Sequence, residues 1–170
     1  MKLLKILLAV ALVASSSGCA SYKWKSSVPE DRRSVFVPVF RNESDVTELG
    51  NVVARQLLRE LQHEGTFKIS TADDCALEIQ GEIDSTSLSR VNSTARDHSN
   101  RRRECRFTAV ANVTVIDRKS SEVLMERKYV GRTTFYGDYD ILTLQRNASG
   151  RIAEDIARQI VDDVLDLEWK

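Results

Sequence analysis

The chain has 170 residues, of which 42% are hydrophobic and 29% charged, so it is long enough for one globular domain with a substantial core. Lysine plus arginine equals aspartate plus glutamate at 25 each. This balance excludes a strong overall field and, with it, a general attraction to nucleic acid, so any anion-binding site must be local.

The first 18 residues have the features of a secretory signal peptide. Lys2 and Lys5 precede an apolar run that ends near Ala14 and is too short to span a bilayer. The next segment, SSSGC, resembles a bacterial lipobox whose Cys19 is lipidated after cleavage, although Ser16 stands where such boxes usually have an aliphatic residue. The alternative is an ordinary secretory signal that leaves Cys19 as a plain thiol.

Residues 19–33 are interpreted as a lipidated tether, and residues 34–170 as a single domain. The tether is polar and aperiodic and contains Pro29. Several acyl chains on Cys19 would hold it to a membrane at about 0.8 kcal/mol per buried CH₂. Ala20 replaces the Asp that retains some lipoproteins, so the sequence resembles lipoproteins sent to the outer membrane. The predicted location is the outer membrane, lipid-anchored and facing the periplasm.

A strand and an amphipathic helix are predicted to open the domain. Residues 35–40 form an apolar run typical of a covered strand, and Pro38 places that strand at an edge or at a bulge. Asp45 and Glu48 resemble a capping box that begins the helix, and Gly65 is suited to end it. Apolar residues recur at helical spacing between them, namely Leu49, Val52, Val53, Leu57 and Leu61.

Three half-buried strands and a second helix are predicted to follow. Residues 77–83 and 105–115 alternate between apolar and polar, and residues 122–136 return as a third strand. Residues 67–70 suggest a short further strand piece, and the polar residues 85–104 link the first two long strands as a hairpin. From residue 140 to 167, apolar residues are spaced three or four apart, with Gly150 as a potential kink.

This element order, βαβββα, predicts an α+β fold. The simplest closure is a two-layer sandwich in which a four-stranded mixed sheet carries two helices on one face and leaves its other face polar. In that hairpin Cys75 and Cys105 lie at opposite ends, several times farther apart than the Cα distance limit of about 7 Å for a disulfide. Both are therefore predicted to be free, buried thiols.

No pattern in the sequence indicates catalysis. The two histidines, His63 and His98, have no spacing typical of a metal pair or a catalytic triad. There is no P-loop, nucleophile elbow or dinucleotide fingerprint. We therefore predict that the protein is not an enzyme and has no catalytic residues, metal site or cofactor.

One local charge cluster stands out between residues 90 and 106. Its only acidic residues are Asp97 and Glu104, against six arginines, the side chain that binds phosphate in a bidentate manner. For an arbitrary protein a solvated loop tip is the simpler interpretation, but an envelope lipoprotein lies close to phosphorylated glycolipids and acidic barrel surfaces. The six are Arg90, Arg96, Arg101, Arg102, Arg103 and Arg106.

Several segments, in this order, resemble the LptE family of lipopolysaccharide-assembly lipoproteins. They are the lipobox cysteine, SVFVPVFRNES, VTELGNVVARQLLREL, EGTFKISTADDCALEIQGEI and NASGRIAEDIARQIVDDVL. PVFRNES and ADDCALEIQGEI carry most of the likeness, and because each is short, the specificity comes from their order and spacing. The resemblance implies a two-layer sandwich that plugs the β-barrel of an LptD-type translocon and helps deliver lipopolysaccharide to the outer leaflet.

In that family, basic residues on a loop at one end of the sheet touch the phosphates of the lipid. On charge alone, Arg101, Arg102, Arg103 and Arg106 are the candidates here. The main alternative is a lipoprotein activator of a periplasmic penicillin-binding protein, which resembles this chain in its strand-helix-strand layout. Such activators typically have a long tether rich in proline or glutamine, whereas the tether at residues 19–33 is short. A secretion-pore subunit would need an additional membrane-spanning strand pair, which the sequence does not show.

Overall fold

The computed structural model describes residues 28–91, 104–136 and 140–169. The predictions about the signal peptide, Cys19, most of the tether, His98 and Arg101, Arg102 and Arg103 concern residues outside these ranges. A short 3-10 turn, Glu30–Arg32, precedes the regular elements. These are β1 (Ser34–Phe36), β2 (Arg41–Asn42), α1 (Leu49–Glu64), β3 (Lys68–Ile69), β4 (Leu77–Val91), β5 (Glu104–Asp117), β6 (Glu122–Tyr136) and α2 (Ile141–Leu165).

The described strands form one mixed sheet in the order β3-β1-β4-β5-β6, and β2 pairs with β4 farther along. The ladders of β1 and β2 with β4 are parallel, as is that of β1 with β3, whereas β4, β5 and β6 are antiparallel. The α+β class and the mixed sheet are confirmed, but the prediction of four strands is wrong, because six are present. Pro38 has no N–H for a ladder, and residues 37–40 leave the sheet, so the strand predicted over residues 35–40 ends at Phe36 and β2 follows as a separate short strand. Residues 68–69 add β3.

Both helices pack on one face of this sheet and against each other, as predicted. α1 contacts β3 and β4, and α2 contacts β5 and β6. The helices and the inward-facing strand residues share one core, in which Leu57, Ile79, Phe107 and Ile156 are fully buried. Neither helix in the described part of the chain has the length and apolar character needed to cross a membrane.

α1 begins later than the predicted capping box. Glu48 precedes the helix in a left-handed conformation (φ 71°) and makes no side-chain cap, so the box formed with Asp45 is wrong. The side chain of Asn42 organises this approach instead. Its Oδ1 accepts hydrogen bonds from Ser44 N–H (3.2 Å) and Oγ–H (2.7 Å), and its Nδ2 donates to the Val46 carbonyl (2.9 Å). The polar RNES segment therefore forms a closed turn of its own.

The predicted end of α1 and start of α2 are confirmed, whereas α2 ends at Leu165 and not at the predicted residue 167. Gly65 ends α1 with φ 84°, and its N–H donates to the Leu61 carbonyl at 3.3 Å. Asp140 caps α2, and its carboxylate accepts hydrogen bonds from the Thr143 N–H at 2.9 Å and the Thr143 hydroxyl at 2.6 Å. Both hydrogen bonds lower the pKa of Asp140, and the bond from the Thr143 hydroxyl has the larger effect. Gly150 lies within α2 without interrupting it.

The two segments that carry most of the family likeness meet at Phe40, which is only 2% exposed. Gly81 of β4 lies directly under the Phe40 ring, and a Cβ at that position would overlap the ring. Gly50 in the first turn of α1 lies equally close to the Phe40 carbonyl oxygen. Because only glycine permits these approaches, PVFRNES, QGEI and the start of α1 are locked together at one point.

β4 and β5 are longer than predicted and pair over their whole length, with a bulge between Ile83 and Ser85. Cys75 precedes β4 at one end of this pair, and Cys105 lies opposite Arg90 at the other. Both cysteines are free and buried, as predicted.

Residues 28–33, at the end of the predicted tether, pack onto the domain. Val28 is 1% exposed and belongs to the core, and the Arg33 guanidinium donates two hydrogen bonds of 3.1 Å to its carbonyl. Arg32 forms an ion pair with Asp117 at 3.3 Å. The ordered contacts of the domain therefore begin by Val28.

Candidate functional site

The sheet face that points away from the helices, here called the outer face, is polar and lies uncovered in the described part of the chain. β5 shows the alternation most clearly: Phe107 and Ala109 are buried, whereas Arg106 is exposed and Thr108 half-buried. The strand register places neighbouring polar residues beside these positions. The outer face includes Ser85, Ser87, Ser89, Arg106, Thr108, Asn112, Thr114, Glu126, Lys128, Arg132 and Thr134.

Hydroxyl groups and one small apolar pair dominate the centre of the outer face. Val110 and Val130 lie directly opposite each other on β5 and β6, and Ser85 pairs with Val110 from β4. Serine and threonine hydroxyls can both donate and accept hydrogen bonds. The outer face is therefore suited to contact with a polar surface of a partner and not with an apolar one.

The charges differ between the two halves of this face. In the half nearest the β5–β6 turn, cations are paired with carboxylates, whereas Arg106 and Arg132 in the other half have no carboxylate within ion-pair distance among the residues that the structure describes. The paired cations are Arg41 with Glu82 at 3.4 Å, Arg118 with Glu78 at 2.9 Å and Lys128 with Asp84 at 3.8 Å.

The half of the sheet that carries these unpaired arginines is the distal end. It comprises residues 85–91, 104–110 and 130–136 with residues 140–151 at the start of α2, and it contains five arginines against two acidic residues. Arg146 and Arg151 of α2 are exposed and, within the same described residues, unpaired. The distal end is therefore a basic surface on a neutral protein.

A notch between β6 and α2 adds apolar surface to the distal end. It has a volume of about 480 Å³ and is lined by Thr134, Phe135, Tyr136, Asn147 and Arg151. The Arg151 guanidinium lies over the Phe135 ring, 5.5 Å from its centroid. Tyr136 is 60% exposed, and Leu142 nearby in sequence is 73% exposed. Guanidinium groups next to exposed apolar side chains are suited to an amphiphile with anionic groups.

Hydrogen bonds and an ion pair fix α2 against β6 along its length. Asp163 of α2 accepts a hydrogen bond from the Tyr129 hydroxyl at 2.7 Å and pairs with Arg127 at 2.6 Å. The pKa of Tyr129 is raised mainly by burial, and further by the hydrogen bond to Asp163 and by the negative charge of Asp163. Asp155 accepts from the backbone N–H of Arg132 at 3.1 Å, on the side of β6 that has no neighbouring strand in the sheet.

Of the predicted phosphate-binding residues, the structure places one. Arg106 is exposed on the outer face, between Ser89 and Thr134 on the adjacent strands. The segment with Arg101, Arg102 and Arg103 lies outside the described ranges, as does Cys19. This segment connects Val91 to Glu104. Because Val91 and Glu104 pair with each other at the distal end, the segment is attached there.

Sequence reasoning missed three arginines of this surface: Arg132, Arg146 and Arg151. They come from two elements far from the arginine-rich segment, and only the return of β6 and α2 brings them to the same end of the sheet. Arg132 could have been found from the sequence, because it lies on the same side of β6 as the other polar residues that face away from the helices. His63, at the end of α1, is exposed, and the described residues hold no group of three or more potential metal ligands.

Comparison with known proteins gave one family and a set of similar folds. The sequence model of the LptE family, described as lipopolysaccharide-assembly, matches residues 32–165. No curated protein matches the chain. The similar solved structures include a minor lipoprotein from Acinetobacter baumannii, with 12% identity, a TM-score of 0.51 and coverage of 79% of this chain and 93% of that one.

Two further solved structures are similar in fold. A neuraminyllactose-binding hemagglutinin homolog from Helicobacter pylori has 11% identity and a TM-score of 0.57, with 85% of this chain and 89% of that chain covered. Protein CT253 from Chlamydia trachomatis has 11% identity and a TM-score of 0.56, with 80% and 97% covered. At these identities the likeness is one of fold alone.

Proposed function

The chain belongs to the LptE family of lipopolysaccharide-assembly proteins, and we propose that it is an outer-membrane lipoprotein that fills the lumen of an LptD-type β-barrel and assists the passage of lipopolysaccharide to the outer leaflet. The observation that carries this proposal is the uncovered polar outer face, which ends in unpaired arginines at the distal end. The protein performs no chemical step in this account.

The outer face matches what the interior of a large barrel offers. Barrels of about 16 or more strands leave a polar lumen that their own side chains cannot fill. A folded domain with serines, threonines and ion pairs on one side can meet such a wall through hydrogen bonds and charge pairs. An acylated Cys19 would hold the domain at the inner leaflet, and the short chain before Val28 would keep it there.

The distal end provides the contact with the lipid. Lipid A and core sugars carry phosphate groups, which planar guanidinium groups bind in a bidentate manner. Arg106, Arg132 and Arg151 are available for this because no carboxylate of the described chain neutralises them. Tyr136 and Leu142 add exposed apolar surface beside these charges.

Lipopolysaccharide binding by two sets of alanine variants tests this role. One set replaces Arg101, Arg102 and Arg103, and the other replaces Arg106, Arg132 and Arg151. The matched control replaces Arg55 and Arg59, which are exposed on α1 and away from the distal end.

Each set is expected to bind lipopolysaccharide at least about tenfold more weakly at physiological salt, because a charge-assisted hydrogen bond contributes about 1.5–3 kcal/mol. The control should bind like the wild type, and circular dichroism should show that all variants are folded. Unchanged binding of the first set would remove the loop from the mechanism. Unchanged binding of both sets would refute a lipid site at the distal end.

A further inference from the structure

A second concave surface lies at the opposite end of the sheet from the distal end. This near-end groove has a volume of about 480 Å³ and lies between the first residues of β6 and the chain that follows α2. Its lining includes Arg32, Glu122, Val123, Asp166, Glu168 and Trp169. Nothing in the proposed lipid site or outer face uses it.

The near-end groove is acidic. Glu122, Asp166 and Glu168 have no lysine or arginine within ion-pair distance in the part of the chain that the structure describes. The two cations of the lining already have partners, so they do not neutralise these carboxylates. These pairs are Arg127 with Asp163 at 2.6 Å and Arg32 with Asp117 at 3.3 Å.

The groove also contains uncovered apolar surface and an unmatched donor. Val123, at the start of β6, is 52% exposed. The indole N–H of Trp169 is buried and, among the described residues, has no hydrogen-bond acceptor. Because this nitrogen is already buried by the described chain itself, an occupant would contact the exposed part of the Trp169 ring and not the N–H.

The chain itself supplies a segment with the complementary chemistry at the right place. Val28 belongs to the core, and Arg32, only four residues later, lines the groove, so the described part of the chain begins close to the groove. Residues 20–27 read ASYKWKSS, with two lysines, no acidic residue and two aromatic residues. At about 3.3 Å per residue, this segment spans roughly 26 Å when extended, enough to cross the groove.

The order of these residues also fits. In an extended segment alternate side chains lie on opposite sides, which separates Tyr22 and Trp24 from Lys23 and Lys25. The aromatic side can cover apolar surface while the long lysine stems reach carboxylates at the rim. We propose that residues 20–27 occupy the near-end groove, with the two lysines against Glu122, Asp166 and Glu168 and the aromatic residues against Val123 and Trp169.

This latch would fix how the domain stands on the membrane. With residues 20–27 in the groove, almost no free chain separates Cys19 from the near end, so the distal end takes a defined orientation relative to the bilayer. That consequence rests on the proposed acylation of Cys19, but the latch itself does not.

The test uses Trp24 as a reporter in the mature chain, residues 19–170. Trp24 and Trp169 are the only tryptophans, so Trp169→Phe, which keeps an aromatic ring in the groove lining, leaves Trp24 as the single fluorophore. Acrylamide quenching is measured without a membrane, on the chain with Cys19→Ser, and in lipid nanodiscs on the acylated chain. The variants are Lys23→Glu with Lys25→Glu, and the same pair combined with Glu122→Lys and Asp166→Lys. The control is Arg106→Glu with Arg146→Glu, which are exposed at the distal end, opposite the groove.

We expect Trp24 to be protected from acrylamide without a membrane. Reversing the two lysines should raise its quenching constant severalfold, the added groove reversals should restore protection, and the control should change nothing. Protection should also weaken at 1 M salt, where the screening length falls to about 3 Å.

Two results would overturn the latch: a Trp24 that is quenched as readily as in urea-unfolded chain, or protection that appears only in nanodiscs and ignores the groove charges. The second result would assign Trp24 to the lipid surface. Neither depends on lipopolysaccharide or on a barrel, so failure of the latch is distinguishable from failure of the proposed function.

Discussion

Replacing Gly131 of β6 by alanine tests the packing that holds α2 over the sheet. A Cβ at this position would lie 2.8 Å from Ile156 Cγ1, 2.9 Å from Ile152 Cγ2 and 3.0 Å from the Ile152 carbonyl oxygen. The isoleucine side chains can turn away in part, but a helix carbonyl cannot. Since carbon contacts are most favourable at about 3.5–4.0 Å, α2 would have to shift by roughly half an ångström.

Such overpacking costs about 1–3 kcal/mol. Alanine also restricts the unfolded chain, which stabilises the fold by about 0.4–1 kcal/mol. With both effects near the middle of their ranges, the free energy of unfolding should fall by about 1–2 kcal/mol. For a domain of this size the melting temperature would fall by roughly 2–8 °C. Urea unfolding followed by circular dichroism measures the difference.

The matched control is Gly150→Ala. Gly150 is exposed within α2, and nothing lies within 4 Å of an added Cβ. Because alanine favours a helix over glycine by about 0.8–1.0 kcal/mol, this variant should be more stable than the wild type. If Gly131→Ala were as stable as the wild type, the close approach of α2 to β6 would be incorrect.

Three further predictions concern buried or capping groups. Tyr129→Phe should lower the free energy of unfolding by about 0.5–1.5 kcal/mol, because it removes the hydrogen bond to Asp163, and urea denaturation with no loss would contradict that bond. The pKa of Asp140 is lowered in the fold, so the stabilisation by its carboxylate is complete above the unfolded pKa of 3.8 and is lost as the pH falls through the folded pKa. The difference in the free energy of unfolding between the wild type and Asp140→Asn should therefore shrink over the same pH range. A difference independent of pH would refute this cap. Cys75 and Cys105 are both buried, and burial also raises the pKa of the Cys75 thiol, so Ellman's reagent should label the two only on unfolding. A disulfide between them in mass spectra would contradict the strand register.

The sequence pattern was most informative where one face of an element is buried along its whole length. The strand predicted at residues 122–136 matches β6 to the residue, and the helical spacing after Asp140 predicted α2. It was less informative where side chains compete locally. The Asn42 turn replaced the predicted capping box, and the segment around Pro38 left the sheet, although the apolar run predicted a strand as far as Phe40.

The candidate site was only partly predictable for a different reason. Arg106 belongs to a dense run of arginines and is visible in the sequence, whereas Arg132 and Arg151 are isolated charges on separate elements. They join the same surface only because β6 and α2 run in opposite directions and meet at the distal end. The near-end groove likewise could not be predicted from any single segment, because it is formed jointly by Arg32, the start of β6 and the end of α2.

The most direct test of the barrel-plug account is to identify what the outer face touches in the envelope. Ser87 is exposed on this face, so a photoreactive amino acid placed there can be crosslinked in cells, and the product can be isolated in mild detergent and identified by mass spectrometry. The account predicts a crosslink to a large outer-membrane β-barrel. A crosslink to a penicillin-binding protein, or no envelope partner at Ser87, would contradict it.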